Sequence, residues 1–252
     1  MAQRRLALLA FVLCCLVVLP AAMAGRGRQM PAVASAVGLQ DLSGFWELSY
    51  DSRSVPAASL LPTITRSRLD AKAKADAYAV RWCNLLGMPF VMDSGRPLDI
   101  RVGTTAVIVA PESHIAPRYL YLNRTTHVSD DIFDPSTNGD SIARWEGDAL
   151  VVDTVGFHPE RGITAIPGGG YRTATSHLVE QFRLLKNGAI LAVTSTWTDP
   201  KVFRTPHRYE FRYYRLPANY EPRPWLPCDP FDPVRTSFLA GPAAAKPTPA
   251  GR

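Results

Sequence analysis

Charged residues interrupt the apolar segment SIARWEGDALVVDTVGF, which runs from Ser141 to Phe157. They are Arg144, Glu146, Asp148 and Asp153. Carboxylates beside a guanidinium are groups that acid–base and electrostatic catalysis use, so the segment is a candidate catalytic site. Glu146-Gly147 is predicted to form a hairpin turn, where solvent screens Glu146 and Asp148 and a structural role suffices. Arg144 and Asp153 remain as candidates for function.

The predicted turn sets the register of this hairpin and the faces of its strands. A two-residue turn at Glu146-Gly147 pairs Arg144 with Ala149, Ile142 with Val151, and Asp140 with Asp153. One face then carries Ile142, Arg144, Val151 and Asp153, and the other carries Ala143, Trp145, Leu150 and Val152. Both faces are largely apolar, so the ribbon is predicted to be covered on both sides, and either face can point inward.

A second hairpin places a carboxylate among apolar side chains. Asn187-Gly188 in LLKNGAIL is a strong turn signal, because both residues tolerate positive φ. The turn pairs Leu184 with Leu191, Phe182 with Val193, Glu180 with Ser195, and Leu178 with Trp197. The face that carries Glu180 is apolar apart from Glu180 and its partner Ser195. It must point to the core, because the opposite face carries His177, Gln181, Arg183 and Thr196.

Glu180 is therefore the leading catalytic candidate, because an apolar environment disfavours its charged form and suits a general acid or base. Its candidate partners are His114, His127, His177, Asp153 and Arg144. His177 has the opposite strand parity to Glu180 and is not expected to meet it. The alternative is a structural plug in which Glu180 pairs with Arg144, Arg208 or Arg212.

The chain lacks the common motifs of metal, phosphate and nucleophile chemistry. It contains no H-E-x-x-H, G-x-S-x-G, G-x-G-x-x-G, P-loop or C-x-x-C sequence, and its five histidines are scattered. No cofactor and no metal site are predicted. The loop from Asp130 to Asp140 is rich in oxygen ligands for calcium, but its spacing does not match an EF-hand and its residues are also ordinary turn formers.

Strand patterns dominate the rest of the chain and predict the fold. The segment DLSGFWELSY alternates as a first strand, and its Gly44-x-Trp46 pair resembles the opening of lipocalin-type barrels, where the Trp lies beneath an Arg from a late strand. Residues Thr65 to Trp82 have helical periodicity, and strand patterns resume at Leu98. We expect a mainly β protein, a single lipocalin-like antiparallel barrel with one accessory helix.

Aromatic residues on these strands suggest what the barrel does. A barrel of this size either fills its interior with rings or holds one small ligand. We expect a small, largely apolar or aromatic molecule to be bound by Glu180, Trp197 and Phe182. A metal-independent lyase, isomerase or hydrolase that uses Glu180 is the alternative, and an envelope structural or interaction protein is a third possibility.

The ends of the chain predict export. Arg4 and Arg5, an apolar run and Ala22-Met23-Ala24 form a secretory signal over residues 1–24. Residues 25–40 are expected to be a disordered linker, 41–235 the barrel domain and 236–252 a disordered Ala/Pro tail. The protein is then periplasmic in a Gram-negative host and otherwise secreted, without stable membrane insertion. Losing two arginines lowers the net charge from +6 to +4, spread along the chain, so no nucleic-acid partner is predicted. The oligomeric state is not indicated.

Only Cys83 and Cys228 remain after the signal is removed. In an oxidising compartment a disulfide between them is favoured over a metal site, since neither has a second Cys or a His at ligand spacing.

Three segments resemble a widespread group of exported bacterial proteins. They are GDSIARWEGDALVVDTVGF, HLVEQFRLL and TDPKVFRTP. The group shares a G-x-S-x-x-R-W-E-G-D-x-L-V-V-D-T core, an H-x-x-E-x-F strand and a D-P segment, and Cys83 and Cys228 fall where it carries cysteines. The resemblance covers about Asp41 to Cys228 and implies a compact β-rich, lipocalin-like domain. It assigns no activity, cofactor or catalytic residue.

Overall fold

A computed structural model describes residues 41–64, 86–113, 115–129, 135–158 and 165–222. Within these residues nine strands close into one barrel in chain order. The strands are β1 (Gly44–Leu48), β2 (Leu98–Val102), β3 (Ala106–Pro111), β4 (Arg118–Tyr121), β5 (Asp140–Glu146), β6 (Ala149–Val155), β7 (His177–Leu185), β8 (Ile190–Thr198) and β9 (His207–Arg215). The predicted mainly β, lipocalin-like barrel is confirmed.

All neighbouring strands are antiparallel except β4 and β5, which are parallel and share only two residue pairs. A parallel pair needs a crossover connection, and residues 122–139 supply it. Closure of β1 onto β9 leaves the sheet without an open edge. None of the described helices is long and apolar enough to span a membrane.

Helix contributes little to the described residues. They contain α1 (Phe90–Asp93) and a 3₁₀ turn over Tyr50–Ser52. Val91 and Met92 of α1 are buried, and the Met92 carbonyl accepts a hydrogen bond of 2.7 Å from the hydroxyl of Tyr213 inside the barrel. The accessory helix predicted over residues 65–82 lies outside the described residues, as do the signal, linker and tail segments and both cysteines of the predicted disulfide.

The β7–β8 hairpin has the predicted register. Glu180 lies opposite Ser195, and Phe182 lies opposite Val193. The connection is longer than two residues, because Lys186 as well as Asn187 and Gly188 has a positive φ and the strand pairing ends at Leu185. A four-residue loop with the same centre keeps the register unchanged.

The predicted register of the β5–β6 hairpin is wrong by two residues. Arg144 pairs with Val151 rather than Ala149, because Gly147 and Asp148 form the turn. Gly147 has a φ of 60°, which fits the first central position of a type II′ turn, where glycine is preferred. A shift of two residues preserves parity, so the predicted faces are confirmed. The Leu150 and Val152 face points to the core.

Apolar and aromatic side chains line the barrel interior. Six aromatic residues of the strands are all buried: Trp46, Phe182, Trp197, Tyr209, Phe211 and Tyr213. Arg215 at the end of β9 lies over the Trp46 ring, with its guanidinium carbon 4.2 Å from the ring centroid. The Trp beneath a late Arg, expected from Gly44-x-Trp46, is therefore present.

Candidate functional site

An ion pair of two fully buried side chains lies inside the barrel. Glu180 on β7 is 0% exposed, and Arg118 on β4 is 1% exposed. The Arg118 Nη2 atom lies 2.6 Å from Glu180 Oε2. The predicted burial of Glu180 among apolar residues is confirmed, and its partner is an arginine outside the three that the plug hypothesis named.

Two hydroxyl groups hold the Arg118 guanidinium in place. Arg118 Nε donates to Ser141 Oγ at 3.3 Å, and Nη2 donates to Thr154 Oγ1 at 2.8 Å. The two hydroxyls are themselves 2.9 Å apart and hydrogen-bonded. Ser141 and Thr154 are opposite each other on β5 and β6, so the sheet itself fixes the position of the positive charge.

The hydrogen-bonding capacity of this pair is only partly used. The contact between Nη2 and Glu180 has the distance of an ion pair without the angle of a hydrogen bond. Arg118 Nη1 and both Glu180 oxygens have no hydrogen-bond partner among the described residues. Each unpaired buried polar atom costs about 1–3 kcal/mol, more when it is charged. Among the described residues, this buried pair therefore leaves one donor and two acceptor atoms without hydrogen bonds.

Tyr209 and Trp197 form the aromatic wall next to Glu180. Trp197 Nε1 donates to the Tyr209 hydroxyl at 3.1 Å. Ser195 on β8 pairs with Glu180 on one side and with Tyr209 on the other. Burial raises the pKa of Tyr209 far above its usual value, and the nearby charge of Glu180 raises it further. The Tyr209 phenol therefore stays protonated at any physiological pH.

A second polar cluster lies on the outer face of the same strands. Asp140 of β5 accepts from Arg124 Nη2 at 2.5 Å through Oδ1, and from His127 Nδ1 at 3.0 Å and the Val128 backbone at 3.2 Å through Oδ2. Burial alone would raise the pKa of Asp140, but these hydrogen bonds together outweigh it and hold the pKa below its usual value.

His127 extends this cluster across the sheet. Its Nε2 atom lies 2.9 Å from Asp153 Oδ1, and His177 Nε2 lies 2.9 Å from the same oxygen. His127 therefore lies between the carboxylates of Asp140 and Asp153 and links them. In the part of the chain that the structure describes, no three His, Cys, Asp or Glu side chains form a group that could hold a metal ion.

The structure separates the predicted catalytic partners. Asp153 and His127 meet on the outer face, whereas Glu180 is inside, because Asp153 follows the inward-facing Val152 that pairs with Glu180. His177 also lies outside, as its parity predicted. Arg144 is 62% exposed and pairs with Glu146. His114 lies outside the described residues.

Sequence reasoning missed Arg118, although a signal for it existed. In RYLY, Arg118 shares strand parity with the buried Leu120, while Tyr119 and Tyr121 are exposed. An arginine at an inward position of a short strand needs a buried anion, and Glu180 was the obvious one. Arg208 and Arg212, proposed instead, have the parity of the outer face, and Arg212 pairs with Glu210 at 2.8 Å.

Comparisons with known proteins assign no function to these two clusters. No protein-family model matches the chain, and no curated protein matches it significantly. Membership of the exported bacterial group remains a prediction from the motif. The functional conclusion therefore depends on the geometry of the two clusters.

Proposed function

We propose that this is an exported protein that binds one small, largely aromatic molecule inside its barrel. The observation that carries the proposal is the buried Arg118–Glu180 pair, whose Nη1 donor and carboxylate oxygens lack hydrogen-bond partners among the described residues. A buried ion pair in this state stabilises a fold poorly, and apolar residues of similar volume would serve better. A ligand that completes its hydrogen bonds gives the pair a function.

The site defines the chemistry of the ligand. Arg118 Nη1 needs an acceptor, and Glu180 needs a donor, so the ligand should carry both groups side by side, as a carboxamide does. The surrounding Trp197, Phe182 and Tyr209 are buried rings that suit a flat apolar body. Because the interior already holds many rings, a compact ligand fits this barrel better than a long chain.

Binding is favoured over acid–base catalysis. An arginine guanidinium is not a general acid or base in proteins. The raised pKa of Tyr209 keeps its proton in place. Neither Arg118 nor Tyr209 therefore takes the second role of a general acid–base pair beside Glu180.

Benzamide is the minimal probe of this chemistry, and toluene is its control without polar groups. In two-dimensional NMR spectra, benzamide is expected to shift the indole N–H signals of Trp46 and Trp197 in a saturable manner. Toluene is expected to shift the same signals less. The Arg118→Met variant should lose the response, while Arg183→Met, which alters an exposed pair with Asp148, should keep it. Absence of any shift, or an unchanged response in folded Arg118→Met, would contradict the proposal.

A further inference from the structure

A groove of about 490 Å³ lies on the outer face of the barrel, between β4 and the segment that leads into β5. It is distinct from the interior pair, because β4 turns Arg118 inward and its neighbours outward. Its main lining residues are Tyr119, Tyr121, Arg124, Asn138 and Asp140.

The first wall of the groove is aromatic and exposed. Tyr119 and Tyr121 are two residues apart on β4, so both face outward, and they are 48% and 37% exposed. Their ring centroids are 6.4 Å apart and their planes differ by 21°, so the two rings are stacked, and we call this pair the aromatic strip. The Arg124 guanidinium carbon lies 4.0 Å from the Tyr121 centroid, so the free part of the strip is centred on Tyr119.

The second wall carries an unpartnered buried acceptor. Asn138 is 9% exposed, and its Nδ2 donates to the carbonyls of Ala116 at 3.2 Å and Pro117 at 3.3 Å. These two acceptors fix the orientation of the amide, because only the nitrogen can donate. Asn138 Oδ1 and Arg124 Nε are both buried without a hydrogen-bond partner among the described residues. Residues that line the groove thus supply one unpaired buried acceptor, one unpaired buried donor and an aromatic strip.

We propose that this groove is a saccharide-binding site. A sugar hydroxyl donates and accepts at once, which matches Asn138 Oδ1 and Arg124 Nε, and the apolar face of a sugar ring packs on the Tyr119 ring. An aromatic hydrocarbon would leave both polar atoms unpaired. A free anion is disfavoured because the Asp140 carboxylate lies in the groove and already neutralises Arg124.

Saturation-transfer NMR on the whole protein tests this site. The probes are glucose, galactose, N-acetylglucosamine and the β-linked trisaccharides of glucose and N-acetylglucosamine, with phenol as a non-saccharide control. We expect transfer to the ring protons of at least one saccharide, and about tenfold weaker binding in Tyr119→Ala. Tyr214→Ala, which removes an exposed tyrosine of β9, is the matched control and should bind as the wild type does.

Three results would overturn the inference. The first is no transfer to any of these saccharides. The second is transfer that Tyr119→Ala leaves unchanged while its spectrum shows a folded protein. The third is binding of phenol alone, lost in Tyr119→Ala, which would assign the groove to aromatic compounds. None of these results bears on benzamide binding inside the barrel, so the two sites can fail independently.

Discussion

Two polar clusters lie on opposite sides of the same strands, and they differ in how completely their hydrogen bonds are satisfied. Inside, Arg118 and Glu180 are excluded from water and leave a donor and two acceptors unpaired. Outside, the carboxylates of Asp140 and Asp153 are bridged by His127, and His177 completes the row. Both outer carboxylates therefore have hydrogen-bond partners within the fold, whereas the Glu180 carboxylate has none among the described residues.

The structural task of the outer cluster follows from the topology. The β4–β5 pair shares only two residue pairs, and a crossover connection joins these two strands. Arg124, His127 and Val128 of this connection all contact Asp140 at the start of β5. These bonds fasten the connection to the barrel where the sheet is least continuous.

Breaking the inner pair should have the largest effect on stability. Arg118→Met leaves Glu180 buried without its counter-charge and is expected to lower the free energy of unfolding by about 3–5 kcal/mol. Adding Glu180→Leu should recover most of that loss, because two apolar side chains then replace two buried charges. Urea denaturation measures both variants. If Arg118→Met is as stable as the wild type, Glu180 does not depend on Arg118 as its buried counter-charge.

Disrupting the outer cluster should lower the free energy of unfolding by less than breaking the inner pair does. Asp153→Ala removes the acceptor shared by His127 and His177, and both rings can turn to solvent, so we expect a loss of about 1–2 kcal/mol. The loss should shrink in high salt because the cluster is partly exposed. A destabilisation as large as that of Arg118→Met would remove the contrast between the two clusters.

Acid should act on the outer cluster through Asp140. Its pKa is lowered in the folded protein, so its contribution to stability is complete above the unfolded value of about 3.8 and disappears as the pH falls through the lower folded value. Asp140→Asn should therefore flatten the decline of stability below about pH 4. Asp148→Asn, at the exposed β5–β6 turn, is the control and should preserve the slope. Melting temperatures measured across this pH range check the prediction. If Asp140 is not responsible, the melting temperature of Asp140→Asn will fall with pH as steeply as that of the wild type.

The smallest effect is expected at Arg144. Its side chain is 62% exposed and contacts Glu146 in the same strand. Arg144→Ala should change the free energy of unfolding by no more than about 0.5 kcal/mol. It should also leave benzamide binding unchanged. A clear loss of either would reinstate this residue as a candidate for function.

Strand parity made much of the fold predictable, and long-range pairing made much of the site unpredictable. The alternation around Glu180 predicted its burial and its pairing with Ser195, because a hairpin register depends on local turn chemistry. The β5–β6 register failed where one glycine allows two turn positions. Arg118 and Glu180 are 62 positions apart in the printed sequence, and their contact depends on how the barrel closes, which parity alone does not specify.

The outer cluster shows the same limit. Asp153 and His127 were both candidates, yet their contact depends on the path of an irregular connection. Asp140 had been considered as a calcium ligand, and its neighbours Arg124 and His127 are instead its partners in the structure. The other acidic residues of that loop, Asp130, Asp131 and Asp134, lie outside the described residues.

Native mass spectrometry of the protein purified from its natural host tests the central claim most directly. The native mass of the wild type should exceed the denatured mass by that of a small organic molecule. The folded Arg118→Met/Glu180→Leu variant should carry no such mass, whereas the Arg183→Met control should carry it. A wild type without any bound molecule, or a double variant that retains the same one, would contradict the account of the interior pair as a ligand anchor.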